Sequence, residues 1–203
     1  MSAALIVFAR APQPGLAKTR LIPALGPQDA ARLAERLLEH AISQASALPL
    51  EHLELCVTPT QHHPAFERAR LLAPGRLQIS EQGDGDLGER MHRAISRALA
   101  THDKVLLMGT DAPALNTGVL EQSLQALQTS PAVFVPALDG GYVLVGLTCP
   151  APQLFEAMVW STPRVMQQTR ERAQQIGLPL AELAPVADID EPADLARLPA
   201  GWL

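Results

Sequence analysis

Aromatic side chains are scarce in this sequence, with two Trp, one Tyr and four Phe among 203 residues. Too few are present to build the stacking platforms that hold single-stranded nucleic acid. No dense Lys/Arg stretch occurs either, and the net charge is -5, which argues against a nucleic-acid-binding face. Cysteine is limited to Cys56 and Cys149, in no CxxC or Cys/His spacing. Both read as small buried hydrophobes of a reducing compartment. No apolar run approaches the roughly 18 residues that a membrane-spanning helix needs. The opening "MSAALIVFAR" has no basic residue ahead of its apolar run, so it reads as a first strand rather than a signal peptide. These absences predict a cytoplasmic protein whose partners are neither nucleic acid nor membrane.

What the chain has is apolar matter in short blocks. It is 47% hydrophobic, enough to bury a real core, and its length suits a single domain over residues 1–203. Runs at 3–9, 53–58, 104–109, 132–137 and 142–147 read as strands, several of them continuous Val/Ile/Leu stretches suited to burial on both faces. Between them, 27–45 and 86–100 carry apolar residues at helical spacing, with weaker helical patterns at 62–72, 117–129 and 163–176. Pro27 suits a first turn, and Asp86 with Glu89 forms a capping-box pattern. Alternating strands and helices predict an α/β fold with a mostly parallel sheet covered on both sides.

Ligands of such sheets bind beyond the carboxyl ends of the strands, so the loops there hold the candidates. "FARAPQPGLAKTRL" places Arg10, Lys18 and Arg20 after the first strand with no acid between them. It is neither a Walker A loop nor GxGxxG. It is a solvated basic loop, or one whose amides and cations hold a di- or triphosphate. Asp111 in "GTDAPAL" follows a buried strand and suits a phosphate-bound Mg²⁺ or Mn²⁺. In "ALDGGYVLVG", Asp139-Gly140-Gly141 reads as a hairpin turn, or as a close ligand approach with Asp139 or Tyr142 touching the ligand. "DIDEPADL" sets Asp188 and Asp190 on one side of an extended segment, as partners for Asp111 on a metal. The alternative role for Asp190 is a helix N-cap. "WST" contributes Trp160 and Ser161 before a helix.

Taken in series, "FARAPQPGLAKTRL", "GDLGERM", "GTDAPAL", "DGGYVLVGL", "WST" and "DIDEPADL" cover nearly the whole chain. This order resembles the glycosyltransferase-like family DUF2064 of the GT-A nucleotide-diphospho-sugar transferase superfamily. The opening is also similar to guanylyltransferases that activate 2-phospholactate. The resemblance implies a Rossmann-like three-layer sandwich holding a nucleoside triphosphate or nucleotide-sugar donor over its first half and a small-molecule acceptor over its second. It implies that Lys18 and Arg20, with Arg10, Gly15 and Gly88, lie on the nucleotide side. Asp111 corresponds to a metal-binding aspartate, with Asp190 or Asp188 as the second. Asp139, Gly140, Gly141, Tyr142, Trp160 and Ser161 fall on the substrate side, Asp139 as a candidate base for an inverting glycosyl transfer. The usual D-x-D is T-D-A here, one carboxylate instead of two. The implied activity is metal-dependent transfer of a sugar or nucleotidyl group. The competing expectation is a non-catalytic nucleotide- or phosphosugar-binding protein of the same fold.

Overall fold

The computed structural model describes residues 2–202. Seven strands form one sheet: β1 (Ala3–Arg10), β2 (His52–Thr58), β3 (Leu77–Glu81), β4 (Lys104–Met108), β5 (Ala132–Pro136), β6 (Tyr142–Leu147) and β7 (Leu180–Glu182). Their order across the sheet is β3-β2-β1-β4-β6-β5-β7, and only β6 runs antiparallel to its neighbours. The helices are α1 (Ile22–Ser46), α2 (Pro64–Arg70), α3 (Leu87–Leu99), α4 (Thr117–Ala126) and α5 (Val165–Gln175). The result is the expected α/β sandwich with a mostly parallel sheet.

The strand sequences explain the layering. In β1, Leu5, Val7 and Ala9 pack into one apolar cluster with Leu38, Ile42 and Phe66 of α1 and α2. Ala4 and Ile6 of the same strand pack on the other side with Met91 and Ile95 of α3 and Met166 of α5. Side chains alternate across a strand, so a strand covered on both faces must be apolar throughout. β4 repeats this, with Leu106 and Met108 on one side and Val105 and Leu107 on the other. Each such fully buried aliphatic side chain contributes about 1.5–3 kcal/mol relative to exposure.

All five expected strands and all five expected helices form, with ends shifted by a few residues. Two strands carried no such signal. β3 buries only Leu77 and β7 buries none of its residues, because both lie at sheet edges. α1 begins earlier than expected but breaks at Gly26, whose φ of 78° is non-helical, so its regular run starts at Pro27. The capping box on α3 is present, with Glu89 N donating to Asp86 Oδ1 at 2.9 Å and Asp86 N to Glu89 Oε2 at 2.8 Å.

The chain lays β2 and β3 on one side of β1 and then crosses to the other side for β4. The reversal creates a crevice beyond the carboxyl ends of β1 and β4. Among the described residues, no helix is long and apolar enough to cross a membrane.

Candidate functional site

A cleft of about 660 Å³ opens at that crevice. Its lining includes Arg10, Lys18, Arg20, Arg90, Asp111 and Asp190, with Leu16, Pro59 and Leu87 as apolar contributors. A short apolar cluster assembles it. Leu21, at the end of a 3-10 turn over Thr19–Leu21, and Ile189 pack together on Leu33 and Leu37 of α1. Ile189 N then donates to Asp111 O at 2.9 Å. Three segments distant in sequence are thereby brought to one point.

At that point stands Lys18. Its Nζ lies 2.7 Å from Asp111 Oδ1, 3.1 Å from Asp190 Oδ1 and 2.6 Å from Ile189 O. An ammonium has three N–H donors, and all three have acceptors here. The Lys18 side chain is only 6% exposed, whereas Asp111 and Asp190 are 49% and 41% exposed. Burial works against the lysine's charge, but the two carboxylates outweigh it and its pKa lies above the ordinary value. The Lys18 backbone is left-handed, at φ 47° and ψ 46°. Ser161, another non-glycine residue with positive φ (60°), also lines the cleft. Such conformations cost about 1–2 kcal/mol and persist where surrounding contacts dictate them.

The resemblance implies a phosphate contact for Lys18; in the structure its ammonium is paired with the two aspartates expected to hold the metal. Arg20 also leans on Asp190, Nη1 to Oδ2 at 3.4 Å. The cleft-lining cations without a carboxylate partner among the described residues are Arg10 and Arg90. Arg90 donates from Nη1 to Gln82 Oε1 at 3.3 Å and from Nε to Asp86 O at 3.2 Å. Gln82 is 5% exposed, and its Nε2 donates to Ala9 O and Cys56 O at the ends of β1 and β2. Nothing in the sequence marks Gln82, because β3, which it follows, carries no strand signal.

The acidic tail has a division of labour. Glu191 with Asp194, not Asp190, caps the 3-10 helix Pro192–Arg197, which leaves the Asp190 carboxylate facing Lys18 and Arg20. Asp188 forms no ion pair among the described residues. Burial first, then the charges of Asp139, Asp190 and Asp111, push its pKa up to about 6. Among the described residues, no three His, Cys, Asp or Glu side chains converge tightly enough to cage an ion. Asp111 and Asp190 do share one cation, and Ile189 O adds a third oxygen. That donor set fits Mg²⁺ or Mn²⁺, which takes one or two carboxylates and completes its shell with water and phosphate. Asp188 does not join the shared cation.

The remaining candidates lie outside the cleft lining. Asp139 closes the β5–β6 hairpin, where its Oδ1 accepts from Gly141 N at 2.8 Å. Gly140 has φ 94°, and a Cβ there would lie 2.1 Å from Pro163 O. Its freedom therefore serves close packing of the 160–164 loop and not the approach of a ligand. Met166 N donates to Gly140 O at 2.9 Å, completing that junction. Gly88 was expected beside the nucleotide. A Cβ on it would strike Phe155 O at 2.5 Å and Trp160 Cζ2 at 2.8 Å, so it is the seat of Trp160 on α3. Tyr142 stacks edge-on to Phe134 and Trp160, and burial raises its phenol pKa, which keeps the hydroxyl neutral. Gly15 (φ 80°) turns the exposed loop before Lys18.

The sequence profile of DUF2064, described as "Uncharacterized protein conserved in bacteria", matches residues 40–162. The chain belongs to the DUF2064 family. Among solved structures, this DUF2064 protein is similar to a Desulfovibrio desulfuricans G20 protein provisionally named a nucleotide-diphospho-sugar transferase, with 30% identity and a TM-score of 0.85. The match covers 94% of this chain and 84% of that one. A 4-diphosphocytidyl-2C-methyl-D-erythritol synthase from Anaerococcus prevotii DSM 20548 aligns with a TM-score of 0.65 at 11% identity, over 97% of this chain and 93% of that one. The inositol-1-phosphate CTP transferase from T. maritima gives 0.59 at 14%, over 98% and 92%. At those identities the last two establish the fold alone. The DUF2064 protein thus has a nucleotidyl- or sugar-transferase-like fold. No curated protein matches its sequence.

Proposed function

We propose that this DUF2064 protein is a transferase that takes its group from a nucleotide donor and gives it to a small acceptor. One observation carries the reading: four cations, Arg10, Lys18, Arg20 and Arg90, meet two carboxylates, Asp111 and Asp190, in a cleft at the topological switch point. A cleft of about 660 Å³ is within the usual size range of small-molecule sites. Arg10 and Arg90, which have no carboxylate partner among the described residues, bind the donor's phosphates, and guanidinium forks suit that task. Asp111 and Asp190 hold Mg²⁺ or Mn²⁺, which supplies charge neutralisation at the phosphate oxygens when bound. The likeness to the Desulfovibrio protein supports a nucleotide donor.

The number of cations favours a triphosphate donor and nucleotidyl transfer over glycosyl transfer. In that reaction an acceptor oxygen attacks the α-phosphorus, the bond to the bridging oxygen breaks, and pyrophosphate departs with the electron pair. Positioning and charge stabilisation do most of the work in phosphoryl chemistry. Arg10 and Arg90 orient the donor, and Lys18 and Arg20 add positive charge to the cleft that offsets charge developing on the leaving group. In this assignment Asp139 is a hairpin residue with no part as a base, since it lies outside the cleft lining.

The test is a thermal-shift panel of four nucleoside triphosphates, UDP-sugars and GDP-sugars, each with and without Mn²⁺. Native-state ligands raise the melting temperature by mass action, so no acceptor is needed. A metal-dependent rise with a triphosphate is the expected result. A rise with a nucleotide-sugar alone replaces nucleotidyl with glycosyl transfer, and no rise with any donor removes the transferase reading.

A further inference from the structure

Lys18 is one of only two lysines in the chain, the other being Lys104. Its ammonium is held by two carboxylate oxygens and one peptide oxygen, at 2.7, 3.1 and 2.6 Å. All three are hard oxygens, the type a divalent cation seeks. A divalent ion seated among these three oxygens would occupy the place of the ammonium, and like charge disfavours both cations there at once. Lys18 and a divalent cation are therefore competitors for Asp111 and Asp190. Arg20 cannot substitute for the lysine. It reaches only the far oxygen of Asp190, at 3.4 Å, and is 56% exposed.

We infer that Lys18 is a placeholder cation: its ammonium joins Asp111 to Asp190 and holds down the affinity for a divalent ion until phosphate oxygens draw the lysine away. Metal and donor phosphates then enter together. Phosphate offers the ammonium new acceptors, and the released carboxylates take the metal. Each ligand strengthens the other by the same factor, as linkage requires. The biological use of this device rests on the transferase reading, but the competition itself does not.

The experiment is a calorimetric titration of Mn²⁺ alone into the full chain, comparing the unaltered protein with Lys18→Met. Thermal melts check that both are folded. Lys18→Met is expected to bind Mn²⁺ at least tenfold more tightly, and adding Asp111→Asn is expected to erase that gain. Equal or weaker binding by Lys18→Met, or no binding by either protein, overturns the inference. A second measurement needs no variant. The unaltered chain is treated with an amine-acylating reagent, and mass spectrometry compares Lys18 with Lys104, which is 6% exposed. Saturating Mn²⁺ is expected to raise Lys18 labelling several-fold relative to Lys104. Unchanged labelling with Mn²⁺ bound overturns the inference. A donor panel without any thermal shift would remove the transferase reading and leave the competition standing. Equal Mn²⁺ affinities beside a clear donor shift would do the reverse.

Discussion

The amide of Ile189 donates to the carbonyl of Asp111 across 2.9 Å, tying the acidic tail to the loop after β4. The Ile189 side chain, 1% exposed, anchors the same junction in the cluster around Leu21. Ile189→Ala is expected to lower stability by about 2–4 kcal/mol, as for other buried Ile or Leu truncations. It should also weaken any metal-dependent donor shift, because Asp190 loses its anchor. Urea denaturation and the thermal-shift panel measure the two effects. A loss of stability with the donor shift intact would detach Asp190 from the site.

Asp111→Asn keeps the shape of the side chain and removes its charge. Lys18 retains Asp190 and Ile189 O, so the fold is expected to persist. Metal-dependent donor binding is expected to disappear. Thermal shift with and without Mn²⁺ reads both, and full metal dependence in the variant would move the metal elsewhere.

Arg90 reaches the cleft because Gln82 holds its guanidinium. Arg90→Ala is expected to raise the donor's Kd about tenfold, roughly 1.4 kcal/mol, as for loss of a charge-assisted contact. Gln82→Leu leaves the Ala9 and Cys56 carbonyls without their side-chain donor and should cost about 1–3 kcal/mol of stability. Calorimetry and denaturation separate the two. Unchanged donor affinity in Arg90→Ala would exclude it from phosphate binding.

Asp188 gives a pH signature. Its folded pKa of about 6 lies above the ordinary aspartate value of 3.8, so the native state holds a proton that the unfolded chain has lost between those values. The site therefore contributes loss of stability as pH rises from about 4 to about 6, and the penalty is complete above that window. Asp188→Asn is expected to be more stable than the parent at pH 7.5, with the advantage vanishing near pH 4. Denaturation curves across this range provide the check. A constant difference at every pH would refute the assignment.

Gly140→Ala tests the junction between the hairpin and the 160–164 loop. A methyl group there meets Pro163 O at 2.1 Å on a backbone with φ 94°, so about 2 kcal/mol or more of stability should be lost. Gly141→Ala meets only the Asp139 carboxylate, at 3.2 Å, and should cost less. Melting temperatures of the two variants decide the comparison, and equal losses would argue against the close packing at Gly140.

The layered architecture is legible in the sequence alone, because continuous runs such as Leu5–Val7 and Val105–Met108 have no stable place except between two helical layers. The α3 cap is legible too, since Asp86 and Glu89 act locally. Arg10, Lys18, Arg20, Asp111 and Asp190 were legible as candidates because each follows or flanks a recognisable element. Their pairing was not. Only the tertiary structure set Lys18 between Asp111 and Asp190, through the packing of Ile189 on Leu21 and α1. It likewise decided that Gln82 orients Arg90, and that Gly88 and Gly140 serve packing contacts. The physical reason is range: periodicity and capping are written within a few residues, whereas a charge chooses its partner among all side chains that folding brings within reach.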